Sequence, residues 1–217
     1  MGKTKDVRAT VEAELGFDPL VDSADITVRN IGGNVSLTGT VPSYPQYLEA
    51  AAAARRVAGV TTVDNNLMVV LPESDYRDDV RLATAANNAL AHNVTVPDEV
   101  EAIADDGNIT LTGTVHYLTE RTAAEATVAG LTGVRNVKSY IDVSYVIDPV
   151  DVDLHVQQAL ERSALVPDDS DVKSDTTDSV ITLTGHVRTW AEHDAVVGAA
   201  WMALGATDVR DELQVTG

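Results

Sequence analysis

Five histidines, His92, His116, His155, His186 and His193, are the side chains best suited to hold a metal or move a proton. None stands in an H-x-x-x-H or H-E-x-x-H arrangement, so the spacing predicts no zinc site. Asp168, Asp169, Asp171, Asp175 and Asp178 crowd one loop, but without the ligand spacing and closing Glu of a calcium loop they read as a solvated acidic turn. The chain has no cysteine, which removes thiolate nucleophiles, disulfides and cysteine-ligated metals. No serine lies in G-x-S-x-G, and no carboxylate pair stands apart from the many acids. Gly39, Gly113 and Gly185 lack the neighbours of a phosphate-binding loop. The expectation is a protein with no catalytic residue, metal or cofactor.

Binding has better candidates. Tyr44, Leu118 and Trp190 each stand three positions after the last valine of a recurring strand, and Tyr47, Tyr117 and Trp201 lie near them in sequence. An aromatic or large apolar side chain at a helix entrance can insert at a membrane interface or anchor a partner. The alternative is a staple that packs on the first helical turn.

These positions recur because the chain repeats itself. Val35-Ser36-Leu37-Thr38-Gly39-Thr40-Val41 returns as Ile109-Thr110-Leu111-Thr112-Gly113-Thr114-Val115 and as Ile181-Thr182-Leu183-Thr184-Gly185-His186-Val187, with glycine offsets of 74 and 72 residues. A second glycine, Gly59, Gly133 or Gly205, follows 20 residues later in every copy. Spacing held three times marks tandem units.

Each unit reads as α-β-β-α-β. Val7, Val11 and Leu15 fall at i, i+4 and i+8 on one helical face, as do Val152, Val156 and Leu160, with Val80, Ala83 and Leu90 as a looser match. After Pro19, Pro97 or Pro167 comes a short strand carrying Ile26 and Val28, Val100 and Ala102, or Val172. A Gly/Asn/Asp turn and the alternating glycine strand complete a hairpin. Ser43 with Gln46 and Thr189 with Glu192 match capping boxes. Tyr117 replaces the hydroxyl in the second unit, which points to Thr119 as its cap. The second helix has a small core face: Ala50, Ala54 and Val57; Ala124, Val128 and Leu131; Val196, Ala200 and Ala203 or Leu204. A last strand with Val63, Leu67 and Val69 or their equivalents follows. The mid-strand glycines predict a bulge or close backbone approach. The fold class is α+β: three tandem units, each a small three-stranded mixed sheet with two helices on one face, at residues 1–72, 73–147 and 148–217. The β-α-β part calls for a parallel last strand. Units of this size are marginal alone, so neighbours are expected to lean on one another.

Charge narrows the partners. Thirty-four acids against 15 bases give −19, which repels nucleic acid and anionic headgroups at long range. Asp outnumbers Glu and Arg outnumbers Lys, a bias of salt-adapted proteins. No run reaches the ~18 apolar residues of a membrane span. Met1 to Val7 shows neither an apolar signal core nor a myristoylation pattern, so the chain reads as cytoplasmic as written, or periplasmic if an export signal was removed.

The strand I-T-L-T-G-x-V, the alanine-rich helix after it and the ending Gly59-Val60-Thr61-Thr62-Val63-Asp64-Asn65-Asn66-Leu67-Met68-Val69 resemble the BON family, the bacterial osmotically inducible and nodulation domain. The resemblance covers nearly the whole chain as three tandem copies. It implies a non-enzymatic envelope or osmotic-stress protein that binds phospholipid or chaperones client proteins. The high acidity and the absence of an export signal depart from that pattern. Arg188 beside Trp190, with Lys3 and Lys5, are the basic residues nearest to a lipid-binding role. The alternative is an interaction or self-assembling module in which open sheet faces and edges pair between chains.

Overall fold

The computed structural model describes residues 6–144, 149–162, 171–203 and 205–216. Lys3, Lys5, Ile147, Asp148, Pro167, Asp168, Asp169 and Leu204 lie outside the described residues.

Unit 1 comprises α1 (Val7–Phe17), β1 (Ile26–Ile31), β2 (Asn34–Val41), α2 (Tyr44–Arg55) and β3 (Thr62–Val69). Unit 2 comprises α3 (Asp79–His92), β4 (Glu101–Asp105), β5 (Asn108–Val115), α4 (Leu118–Ala129) and β6 (Asn136–Val143). Unit 3 comprises α5 (Pro149–Arg162), β7 (Lys173–Thr177), β8 (Val180–Val187), α6 (Trp190–Trp201) and β9 (Asp208–Val215). The glycine strand is central in each sheet, antiparallel to the strand before it and parallel to the strand after the second helix. The α+β mixed sheet expected from the repeat is therefore present three times.

Alternation on the central strands decides what is inside. Val35, Leu37 and Val41, like Ile109, Leu111 and Val115 and like Ile181, Leu183 and Val187, are buried beneath the two helices. The residues between them, including Thr38, Thr112 and Thr184, face outward. Val11 and Leu15 of α1 meet Ala50, Ala53 and Ala54 of α2 in the same core. Alanines on α2 leave room for the helix to sit close on the sheet.

The first helix of unit 2 buries Leu82, Ala86 and Leu90, while Val80 is 77% exposed. The looser sequence match to Val80 and Ala83 is thus corrected. The i, i+4, i+8 face lies 75 positions after Val7, Val11 and Leu15 rather than 74, because the loop after the helix differs in length between units. Val100 and Val172 also stand one residue ahead of the strands that the sequence pattern places them on, and β4 and β7 begin at Glu101 and Lys173.

That late start has a cause at the glycine. A Cβ on Gly39 would lie 1.9 Å from the Asp25 carbonyl oxygen, on Gly113 2.2 Å from that of Glu99 and on Gly185 2.6 Å from that of Asp171. The backbone φ values are +126°, +132° and +121°. The chain entering each hairpin passes directly over the central strand, and only glycine leaves the space and tolerates the angle. The second glycines, Gly59, Gly133 and Gly205, also hold positive φ, where the chain turns from helix to last strand. In unit 3 the Asp171 carboxylate accepts the His186 amide at 2.7 Å and faces His186 Nδ1 at 2.8 Å, which holds the Asp171 carboxyl below its usual range. His186 is exposed, as its place in the repeat suggests.

The helix caps differ in detail. Ser43 Oγ accepts from the Gln46 amide, but the Gln46 side chain accepts from the Asp22 amide instead of closing the box. Glu192 and Glu120 reach back one residue further, to the amides of Arg188 and of His116 and Tyr117. The cap of α4 is therefore Tyr117 and not Thr119: the Glu120 amide, which a cap hydroxyl would have accepted, donates to the Tyr117 carbonyl at 3.1 Å, and the Glu120 carboxylate holds the amides on the other side of the box.

Candidate functional site

The entrance of each second helix leaves its own unit and meets the next. Tyr44, the first residue of α2, is 9% exposed and sits in the core of unit 2 with Leu82, Ala86 and Leu111. Tyr47 and Val69 of unit 1 pack against the same core. Leu118, the first residue of α4, is 1% exposed and sits in the core of unit 3 with Val152, Val156 and Ile181, joined by Val143. Trp190 opens α6 in unit 3 and lies against unit 1: the Arg55 guanidinium stands 4.6 Å from its ring centroid. The joints run from unit 1 to 2, from 2 to 3 and from 3 back to 1.

Each joint repeats one design with different side chains. In the first, Tyr44 and Tyr47 stack with centroids 5.6 Å apart, and Tyr47 shares two hydrogen bonds with Asn65. In the second, Arg121 takes the place of Tyr47, its guanidinium 5.1 Å from the Trp201 ring centroid and donating to Asp208 at 3.2 Å. In the third, His193 takes that place, edge-on to Trp190 at 4.7 Å, with Nε2 2.7 Å from Asp211 and Nδ1 3.1 Å from Asp194. Arg55 and Trp201 occupy the same repeat position. The cation and the ring have therefore exchanged sides between the second and third joints. Each such contact contributes on the order of 0.5–1 kcal/mol at an exposed site.

The third joint is the loose one. Among the described residues, none of unit 3 joins the core of unit 1. A cavity of about 540 Å³ lies there, lined by Ala52, Arg55, Val57, Val60, Trp190 and Ala191 among others. The corresponding space in the first joint, between Ser43, Pro45 and the Gly130–Val134 turn, is about 120 Å³. Trp190 Nε1 is buried with no acceptor among the described residues.

Of the six aromatic and apolar candidates, Tyr44 and Leu118 are consumed by joints and present no face to a bilayer in this fold. Tyr47 and Trp201 line joints half-buried, Tyr117 caps α4 at 36% exposure, and Trp190 opens on the cavity. Packing on a neighbouring unit replaces both the free aromatic edge and the local staple as the role of Tyr44 and Leu118. The partners Arg55, Arg121 and His193 were not singled out from sequence. Carrying the 74 and 72 offsets across every position would have placed them in register with Trp201 and Tyr47. No group of three or more His, Asp or Glu side chains able to hold a metal occurs among the described residues. Nor is any helix there long and apolar enough to cross a membrane.

Burial of Tyr44 has a consequence at high pH. Desolvation raises its phenol above the ordinary value of 10.0, against a hydrogen bond to the Val137 backbone that lowers it. The folded-state pKa is the raised one, so the stability it carries is complete below about pH 10 and is lost as pH climbs through the folded value. Thermal midpoints across that window should fall more steeply for the native chain than for Tyr44→Phe. Parallel curves would show that the phenol does not titrate in the joint.

The BON domain profile matches residues 3–71, 78–145 and 151–217, and the chain belongs to the BON domain family. Among characterised relatives, osmotically-inducible protein Y of Escherichia coli (strain K12) is 30% identical over 138 residues, 61% of this chain and 69% of that protein. Two structures of CdsD, a structural protein of the type III secretion system of Chlamydia trachomatis, align at TM-scores of 0.26 and 0.25 with 15% and 17% identity. The first covers 96% of this chain and 91% of that one, and the second, of the C-terminal domain, covers both chains fully. Likeness at that level bears on neither the arrangement of the units nor their partners.

Proposed function

We propose that the chain is a non-enzymatic binding protein of osmotic stress, acting on phospholipid surfaces through the entrance of α6. The relative's name and the family support the stress setting. The observation that carries the binding surface is Trp190. It occupies the place where Tyr44 and Leu118 are sealed into a neighbour, yet among the described residues it joins no apolar core, and it borders an open cavity. An amphipathic ring in that position can enter the interfacial region of a bilayer. At −19, attraction to anionic headgroups is unfavourable, so apolar insertion into zwitterionic membranes is the mode that fits.

Flotation with neutral and with anionic liposomes, each at low and near-molar salt, tests this. The expected result is flotation with neutral liposomes that survives high salt and falls roughly tenfold in Trp190→Ala, the loss of about 1.4 kcal/mol or more that an inserted ring supplies. Flotation unchanged in that variant, or absent under every condition, sinks the reading.

A protein-binding or self-assembling role is favoured by a different observation. On the outer face of the unit 2 sheet, Ile103 and Tyr140 are 61% and 66% exposed. Both flank the central strand, in register with Thr110 and Thr112. Light scattering that shows only monomer over a wide range of concentration and salt would reject self-assembly through this face.

A further inference from the structure

We infer that the space between the start of α6 and the α2–β3 turn is a binding site for a free single-chain anionic amphiphile, an alkyl chain ending in a carboxylate or phosphate. The same joint occurs three times in the chain, and the comparison shows what is missing from the third. Tyr44 and Leu118 fill the first two, and the first keeps only about 120 Å³ of space, whereas the third keeps about 540 Å³. That volume lies within the roughly 300–1,000 Å³ of small-molecule sites. Its walls include Ala52, Val57, Val60 and Ala191, small apolar side chains that admit a flexible chain and offer it no hydrogen bond.

The donors facing this space include the Arg55 guanidinium and the start of α6. Arg55 forms no ion pair among the described residues and rests on the Trp190 ring. The amides that open α6 have no helical acceptor, and the Thr189 hydroxyl is already taken by the Glu192 amide. The other cations at the site are paired: Arg56 is held by Glu14, Asp18 and Glu49, and Arg188 by Glu192, while the Asp194 carboxylate, 3.1 Å from His193 Nδ1, is 65% exposed and screened by solvent. An anionic head between Arg55 and the helix start would satisfy both, while the alkyl chain fills the apolar wall. A cationic or neutral head would leave them as they are.

The inference shares Trp190 with the membrane reading but not its ligand, and the two fail separately. Dodecyl phosphate, dodecanol and dodecyltrimethylammonium, each below its micelle concentration, are titrated into the full chain and followed by calorimetry. Trp190 emission is read in parallel in a Trp201→Phe background. The expected result is one dodecyl phosphate per chain, bound roughly tenfold or more tighter than dodecanol, with a similar loss in Arg55→Gln, as a charge-assisted hydrogen bond provides. Ala52→Phe, which fills the cavity without touching a charge, should abolish binding while the circular dichroism spectrum stays native. Val94→Ser, on an exposed loop of unit 2, should change nothing.

Equal affinity for dodecanol and dodecyl phosphate, unchanged binding in Arg55→Gln or Ala52→Phe, or no saturable binding overturns the inference. Vesicle flotation without dodecyl phosphate binding overturns it and leaves the membrane reading standing. Dodecyl phosphate binding without flotation does the reverse.

Discussion

Leu118→Ala should unfold unit 3 early, although Leu118 belongs to unit 2. Its side chain is 1% exposed and lies among Val152, Val156, Ile181 and Leu183. Truncating a leucine so enclosed costs about 2–5 kcal/mol, because contacts are lost and the surrounding side chains close the hole only in part. A unit of this size has little to spare. The chain carries its own reporter: both tryptophans, Trp190 and Trp201, are in unit 3. In a urea titration, tryptophan emission should move to lower denaturant by the full loss, and far-UV circular dichroism should then show a second, later transition from units 1 and 2. A fluorescence transition that stays in place would mean that Leu118 is not part of the unit 3 core.

Gly39→Ala should be at least as damaging, for a reason unrelated to cavities. The added carbon would sit 1.9 Å from the Asp25 carbonyl oxygen, a backbone atom that cannot turn aside, at a φ of +126°. Strain in φ costs on the order of 1–3 kcal/mol, and moving the hairpin entry off the strand raises the loss to about 3–5 kcal/mol. The cost should fall in the order Gly39, Gly113, Gly185, following approach distances of 1.9, 2.2 and 2.6 Å. Gly198→Ala is the contrast. It lies within α6 with open space around it, so alanine there should stabilise by about 0.5–1 kcal/mol. A Gly39→Ala chain that melts within a degree or two of the native one would refute the close approach.

Much of this fold can be read from the chain because its signals are local. The alternation Val35, Leu37, Val41 states which face of the strand is buried, and the glycine at a fixed place states where another segment crosses it. Even the three-fold copy of α-β-β-α-β needs only the spacing of the glycines. What escaped was set by partners distant in sequence. Nothing near Tyr44 says that its ring ends among Leu82 and Ala86, and an apolar residue at a helix entrance looks the same whether it meets its own turn, a bilayer or the next unit. The register of α3 is ambiguous in the sequence for a related reason: Val80 and Leu82 are both apolar, and only the core beneath decides between faces two residues apart. Arg55, Arg121 and His193 do not stand out in the sequence, because each is an ordinary polar residue until the ring or carboxylate opposite it is known.

The exchange of cation and ring between the second and third joints also affects how the chain reaches its native state. Tandem units with near-identical strands risk pairing with the wrong neighbour as they fold, and misassembly between similar domains is a common failure of repeat proteins. Here the strands stay alike while the joints diverge: stacked tyrosines in the first, leucine with Arg121 on Trp201 in the second, Trp190 under Arg55 in the third. An entrance built for one socket meets unsuitable chemistry in another. Arg121 in the socket that holds Arg55 would set two guanidinium groups against each other and leave both without a ring. The units can thus share one core sequence and still find their places in a single order.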